Sequence, residues 1–208
     1  MRILEIMNTS PVMPVLVIED AAKAVPLARA LVEGGIRVLE ITLRTAAALD
    51  CIKAIIKEVP DAITGVGTIT QIDQLKAVIE AGAAFGVSPG LSEPILAEVK
   101  RRKFPFLPGV MTPTEVMTAY DLGFRAMKLF PAQQAGGLGM LKALAGPFAD
   151  IRFCPTGGVD AKSAADFLAL PNVGCVGGSW IAPKVLVDKG DWAGITDLAR
   201  QASALRAK

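Results

Sequence analysis

The stretch RAMKLFPA, Arg125 to Ala132, sets Lys128 inside an apolar run, where a charged ammonium is costly to bury and a leucine would pack better. Upstream, RVLEITLR (residues 37–44) does the same with Glu40. A buried lysine is chemically useful only as a free amine. It can then attack a ketone to form a Schiff base, and the iminium draws electrons from the neighbouring carbon bond. Burial disfavours the charged form, a nearby Arg44 acts in the same direction, and Glu40 opposes both. The chain contains no histidine. That removes the commonest acid/base side chain near neutral pH and excludes a histidine-ligated zinc mechanism, so proton transfer falls to Glu40. Lys23, Lys53, Lys57, Lys76 and Lys142 fall in helical patterns, which leaves Lys128 as the only lysine inside a predicted strand. The bland alternative is a Lys–Glu ion pair retained in the core, but such pairs often add no net stability, and polar interior groups otherwise weaken a fold.

These residues need a scaffold that turns them toward one another. Strand candidates cover residues 12–18, 37–44, 62–69, 83–89, 104–110, 125–131, 151–158 and 173–179, alternating with helical patterns that stop at glycine. Eight strands alternating with helices predict a parallel sheet closed into a TIM (β/α)8 barrel, with a short N-terminal helical segment. An open doubly wound sheet is the alternative, but no GxGxxG opens the first helix after a strand. EGGIRVLEI, EAGAAFGVS and DLGFRAMKL form a faint repeat, in which five residues on from Gly35, Gly82 and Gly123 stand Glu40, Val87 and Lys128. A weaker match at Asn172 leads to Gly177, a glycine that would leave space beside the pair.

Strand alternation places Leu39, Ile41 and Leu43 outward and Glu40, Thr42 and Arg44 inward. It likewise puts Met127 and Leu129 on the helices and Ala126, Lys128 and Phe130 inside, and it turns Thr64, Val66 and Thr68 inward. Strands 2 and 6 face each other across an eight-strand ring, which makes Glu40 and Lys128 a pair in one layer. Glycine-rich turns follow strands 7 and 8: CPTGGVD and VGGSW. In this fold such loops commonly cradle a phosphate, which nominates Gly157, Gly158, Gly178 and Ser179. The prolines of VSPG and FLPGVMTP are explained by rigid loop geometry, and Phe130 with Pro131 suits a pocket wall after Lys128.

The chain's 208 residues, 52% of them hydrophobic and 20% charged, imply one domain over 1–208. No apolar run approaches a membrane span, and MRILEIMNTS lacks the pattern of a signal peptide, so a cytoplasmic location is expected. Cys51, Cys154 and Cys175 suggest buried reduced thiols, not a disulfide or zinc site. A net charge of +2 offers little attraction to nucleic acid or membrane, and the cluster from Lys100 to Lys103 reads as a solvated helix end.

Taken together, VLEITLRT, GVGTI, SPGLSEP, MKLFPA with its following GG, FCPTGG and GGSW resemble the 2-dehydro-3-deoxy-phosphogluconate and 4-hydroxy-2-oxoglutarate (KDPG/KHG) aldolase family, in order, from about Pro11 to the final helix. The resemblance implies a class I aldolase on a TIM barrel, a homotrimer, cleaving 2-dehydro-3-deoxy-6-phosphogluconate to pyruvate and glyceraldehyde 3-phosphate in the Entner-Doudoroff pathway. It makes Lys128 the Schiff-base residue and Glu40 the general acid/base. Arg44 and Thr68 become contacts to the pyruvate carboxylate, Pro89 and Phe130 pocket walls, and Thr156, Gly157, Gly158, Gly178 and Ser179 the substrate-tail and phosphate region. It implies no cofactor and no metal, since the iminium is the electron sink. Gln133 and Gln134 stand in a segment that is often acidic in relatives, and Val66 where alanine is common, which bears on fine specificity. Three other readings use the same residues: a related aldolase for the galactonate epimer or for 4-hydroxy-2-oxoglutarate, a phosphate-binding isomerase or epimerase, and a non-enzymatic sugar-phosphate binding protein.

Overall fold

The computed structural model describes residues 1–206; the last two residues of the expected 1–208 domain lie outside the described residues. The strands are β1 (Val12–Leu16), β2 (Val38–Thr42), β3 (Ile63–Gly67), β4 (Phe85–Val87), β5 (Phe106–Leu107), β6 (Gly109–Val110), β7 (Ala126–Leu129), β8 (Arg152–Pro155) and β9 (Val176–Gly178). Each forms inside a segment where the sequence pattern expects one. The fifth expected strand divides at Pro108, which has no N–H to give to a ladder. Its carbonyl still accepts the backbone N–H of Lys128 at 2.8 Å. β5 accordingly pairs with β4, and β6 with β7.

All strand pairs are parallel. One sheet runs β5-β4-β3-β2-β1-β9 and a second β6-β7-β8. The six-stranded sheet is in sequence order and sets the last strand beside the first, so the winding never reverses as it does in an open doubly wound sheet. The result is an α/β fold around a curled parallel sheet.

Three helices end alike. Gly35, Gly82 and Gly123 have φ of 90°, 86° and 89°, and the N–H that follows each reaches back to Leu31, Val78 and Ala119 respectively. This glycine stop caps the last carbonyls and starts β2, β4 and β7 after equal spacers, the physical content of the repeat. Apolar side chains then separate by strand parity. Leu39, Ile41, Met127 and Leu129 join Leu27, Leu31, Ile52 and Ile55 in the larger core beneath the helices. Met13, Val38, Phe85, Val87, Leu107, Ala126, Cys154 and Cys175 form a second core enclosed by the strands. The helix Ile3–Thr9 plugs that core with Ile6 and Met7.

β3 departs from its expected parity. Val66 belongs to the helix-side core, while Gly65 and Gly67 pair with the inward Glu40 and Thr42. Choosing the inward face by polarity misreads this strand, because its inward positions are glycines overlain by large neighbours. A Cβ on Gly65 would collide with the Phe85 ring, and one on Gly67 with the Glu40 carboxylate.

Candidate active site

β2 and β7 bring Glu40 and Lys128 together. Lys128 Nζ donates to Glu40 Oε1 at 3.1 Å, with Glu40 1% and Lys128 5% exposed. The Glu40 side chain depends on a missing side chain beside it. Gly67 makes room for the carboxylate, and Gly109 pairs directly with Lys128 in the ladder. The lysine nitrogen stands 5.3 Å from the centroid of the Phe130 ring, within cation–π reach. On the far side of Gly109 lies the backbone of Pro89 and Gly90, held by Ser88, whose hydroxyl donates to Gly90 O at 2.8 Å and accepts from Gly109 N at 3.4 Å.

Arg44 and Thr68 meet at the exits of β2 and β3, where Arg44 Nε donates to Thr68 Oγ1 at 3.3 Å. Thr68 gets there against the strand's alternation, because its backbone turns left-handed (φ 64°). That conformation is uncommon for a β-branched residue, and it is a local strain whose effect is to swing a hydroxyl to the arginine. The β2 exit is tied to β1 by two hydroxyls: Thr42 Oγ1 donates to Leu16 O at 2.9 Å and Thr45 Oγ1 to Ile18 O at 2.7 Å. Arg44 sits between those two tethers.

The β8 and β9 residues divide. Thr156 is buried, its hydroxyl lies over Gly177, and it donates to Cys154 O at 3.3 Å. The space expected beside Gly177 is therefore filled by Thr156, a side chain from the neighbouring strand. Gly157 and Gly158 both have positive φ (98° and 81°) and pack against Pro131 and Gln133. Gly178 is turned to the Trp180 ring, where a Cβ would clash. Ser179 is exposed and lines a cleft with Ile18, Lys23 and Lys184.

Cys154 is the neighbour that sequence reading set aside as a buried thiol. It is buried and unoxidised, but it also pairs with Lys128 in the β7–β8 ladder. A hydrogen bond with Cys175 holds its thiol below the ordinary range against the effect of burial, helped by the charge of Lys128. The signal was present in the alternation of FCPT, once β8 is aligned beside β7.

A hydrogen-bonded lysine–carboxylate pair in an enclosed interior, an arginine and a hydroxyl at its rim, and a glycine turn beyond can bind a keto acid and move protons at it. The match to known proteins is equally direct. The family model described as KDPG and KHG aldolase covers residues 3–198. This chain belongs to that family. It is 52% identical to the 2-dehydro-3-deoxy-phosphogluconate aldolase of Pseudoalteromonas atlantica over 96% of this chain and 93% of the relative. It is 50% identical to the KHG/KDPG aldolase of Escherichia coli K12 over 95% of this chain and 92% of that one. Among solved structures, the KDPG aldolase of Legionella pneumophila, with pyruvate captured at low pH as a covalent carbinolamine, superposes with a TM-score of 0.96 at 42% identity, covering 98% of each chain. These relatives are aldolases by name, and the fold of this chain follows that of the Legionella enzyme over nearly its whole length.

Proposed function

We propose that this chain is a Schiff-base aldolase that cleaves 2-dehydro-3-deoxy-6-phosphogluconate to pyruvate and glyceraldehyde 3-phosphate. The observation that carries the reading is the buried Lys128–Glu40 contact at 3.1 Å, in a chain whose close relatives are KDPG aldolases. Lys128 condenses with the C2 ketone and loses water, leaving an iminium. Arg44 and Thr68 hold the adjacent carboxylate. Glu40, directly or through one water, takes the proton of the C4 hydroxyl; the C3–C4 bond breaks, and its electron pair moves into the iminium to give an enamine. Glyceraldehyde 3-phosphate departs, C3 is reprotonated, and water hydrolyses the pyruvyl iminium to free Lys128. Pro89 and Phe130 wall the pocket, and Thr156, Gly157, Gly158, Gly178 and Ser179 receive the phosphorylated tail. Activity on 4-hydroxy-2-oxoglutarate is a second reading, favoured by the dual name of the Escherichia coli relative.

The same proposal includes the architecture. β5 and β6 flank Pro108, and parallel bridges Phe153–Val173 and Thr156–Gly177 link β8 to the β9 segment. Counting residues 106–110 as one strand, these links support a closed eight-stranded TIM barrel, one domain over 1–208. A homotrimer follows from the family resemblance, and a cytoplasmic location from the sequence pattern; among the described residues no helix is long and apolar enough to cross a membrane. The test is a coupled assay of pyruvate release. The purified chain should release pyruvate from the phosphorylated gluconate substrate faster than from its galactonate epimer. No release from either would overturn the reading.

A further inference from the structure

We infer that Gln133 is a positioning residue that fixes the tail-binding turn to the strand carrying Lys128, and so sets how strongly the enzyme prefers a phosphorylated substrate. The inference rests on the aldolase reading above. Beyond the ends of β7 and β8 the two chains continue to pair. Thr156 N donates to Leu129 O at 3.0 Å, Ala132 N to Thr156 O at 2.8 Å and Gln133 N to Gly157 O at 3.1 Å. Gln133 is the last rung of this extension, and its side chain adds one more: Nε2 donates to Gly158 O at 3.4 Å.

Two glycines form the seat of that side chain. A Cβ on Gly158 would collide with Gln133 Cγ and approach its Cβ to 2.8 Å, and one on Gly137 would come within 3.4 Å of Oε1. The seat therefore exists only because Gly158 lacks a side chain, while Gly137 borders it at ordinary contact distance. Gly158 has a φ of 81° and Gly157 of 98°, so the turn is made of two residues with unusual backbone freedom. A turn of that kind presents backbone N–H groups to an anion only if something holds its peptide planes. Gln133 does this from the outside. Its alkyl stem packs on the Cα of Gly158, and its amide fixes the carbonyl of the peptide joining Gly158 to Val159. An exposed glutamine bonded to both Gly157 and Gly158 thus belongs to the tail end of the site, not to the bond-breaking end.

A change at Gln133 should act on the phosphate and spare the keto acid. One neutral hydrogen bond plus local ordering corresponds to roughly a two- to tenfold effect. The experiment compares wild type, Gln133→Met and Gln133→Ala on 2-dehydro-3-deoxy-6-phosphogluconate and on 4-hydroxy-2-oxoglutarate, which has no phosphate. Methionine keeps the stem and loses the donor; alanine loses both. The expected result is a rise in KM for the phosphorylated substrate of about threefold in the first variant and about tenfold in the second, with kcat within twofold. The ratio of kcat/KM between the two substrates should fall accordingly, and inhibition by inorganic phosphate should weaken in step. Equal losses on both substrates, or an unchanged ratio in Gln133→Ala, overturn the inference, and a wild-type Gln133→Met overturns the role of the amide. Trapping of pyruvate by borohydride in each variant separates these results from failure of the aldolase reading, which would show as no adduct in the wild type.

Discussion

Gly67→Ala tests the site through a residue that has no chemistry of its own. A Cβ at this position would stand 2.7 Å from Glu40 Cδ and 2.8 Å from Cγ, and it would overlap Oε1. Ordinary contacts begin at 3.4 Å, so the carboxylate must retreat by about 1 Å, or β3 must move away from β2. Glu40 has little room to retreat, being 1% exposed and bonded to Lys128. A displacement of about 1 Å at a reacting group costs on the order of 100-fold in rate, close to 2.7 kcal/mol in the barrier. Overpacking adds about 1–3 kcal/mol of lost stability, a fall in Tm of roughly 2–12 °C for a chain of this size. The control is Gly139→Ala, in the helix Gly137–Ala145, where a Cβ meets nothing within 4 Å. That change should stabilise by about 0.5–1 kcal/mol and leave turnover alone. The assay is steady-state pyruvate release alongside thermal unfolding for both variants. If Gly67→Ala turns over and melts like the wild type, then Glu40 does not occupy the position that the proposed chemistry needs.

Two further predictions concern carboxylates. Glu40→Gln keeps an oxygen to accept from Lys128 but cannot take a proton, so turnover should fall about 10²- to 10⁴-fold while pyruvate still forms a trappable adduct; wild-type turnover would remove Glu40 from the proton path. Glu115 caps the helix Pro113–Asp121, accepting from Met111 N at 2.7 Å and Thr112 N at 2.8 Å. Burial raises its pKa, but these two backbone donors and the Thr112 hydroxyl prevail and hold the carboxyl below its usual range. The capping contribution is therefore complete above the ordinary carboxylate range near 4.5 and is lost as pH falls through the lower folded value. Glu115→Ala should cost about 1 kcal/mol in denaturant unfolding at pH 7, with the gap to wild type narrowing as the pH falls below 4.5; a constant gap would reject the charge-dependent cap.

Much of this was legible in the sequence because it followed from period and punctuation. Glycine stops before β2, β4 and β7 and the alternation of VLEIT and AMKL were enough to bring Glu40 and Lys128 together. What escaped was set by shape. Polar residues were read as inward in β3, yet Thr64 and Val66 face away, because Phe85 and Glu40 fill the space over Gly65 and Gly67. Thr68 reaches Arg44 through a left-handed backbone that no strand pattern encodes. Thr156 fills the gap at Gly177 from the next strand, and the division at Pro108 follows from a missing N–H. The solvated basic end from Lys100 to Lys103 needed only local chemistry. It closes the helix Glu93–Arg102, with Arg101 and Arg102 both 2.6 Å from Glu98, which they hold at about 2.

The central claim is that Lys128 forms the covalent bond to substrate. Incubation of the chain with pyruvate and borohydride, followed by peptide mapping in a mass spectrometer, measures this directly. The account predicts a reduced pyruvyl adduct on Lys128 that disappears in Lys128→Met together with cleavage activity. An active preparation with the adduct on another lysine, or with none, would contradict it.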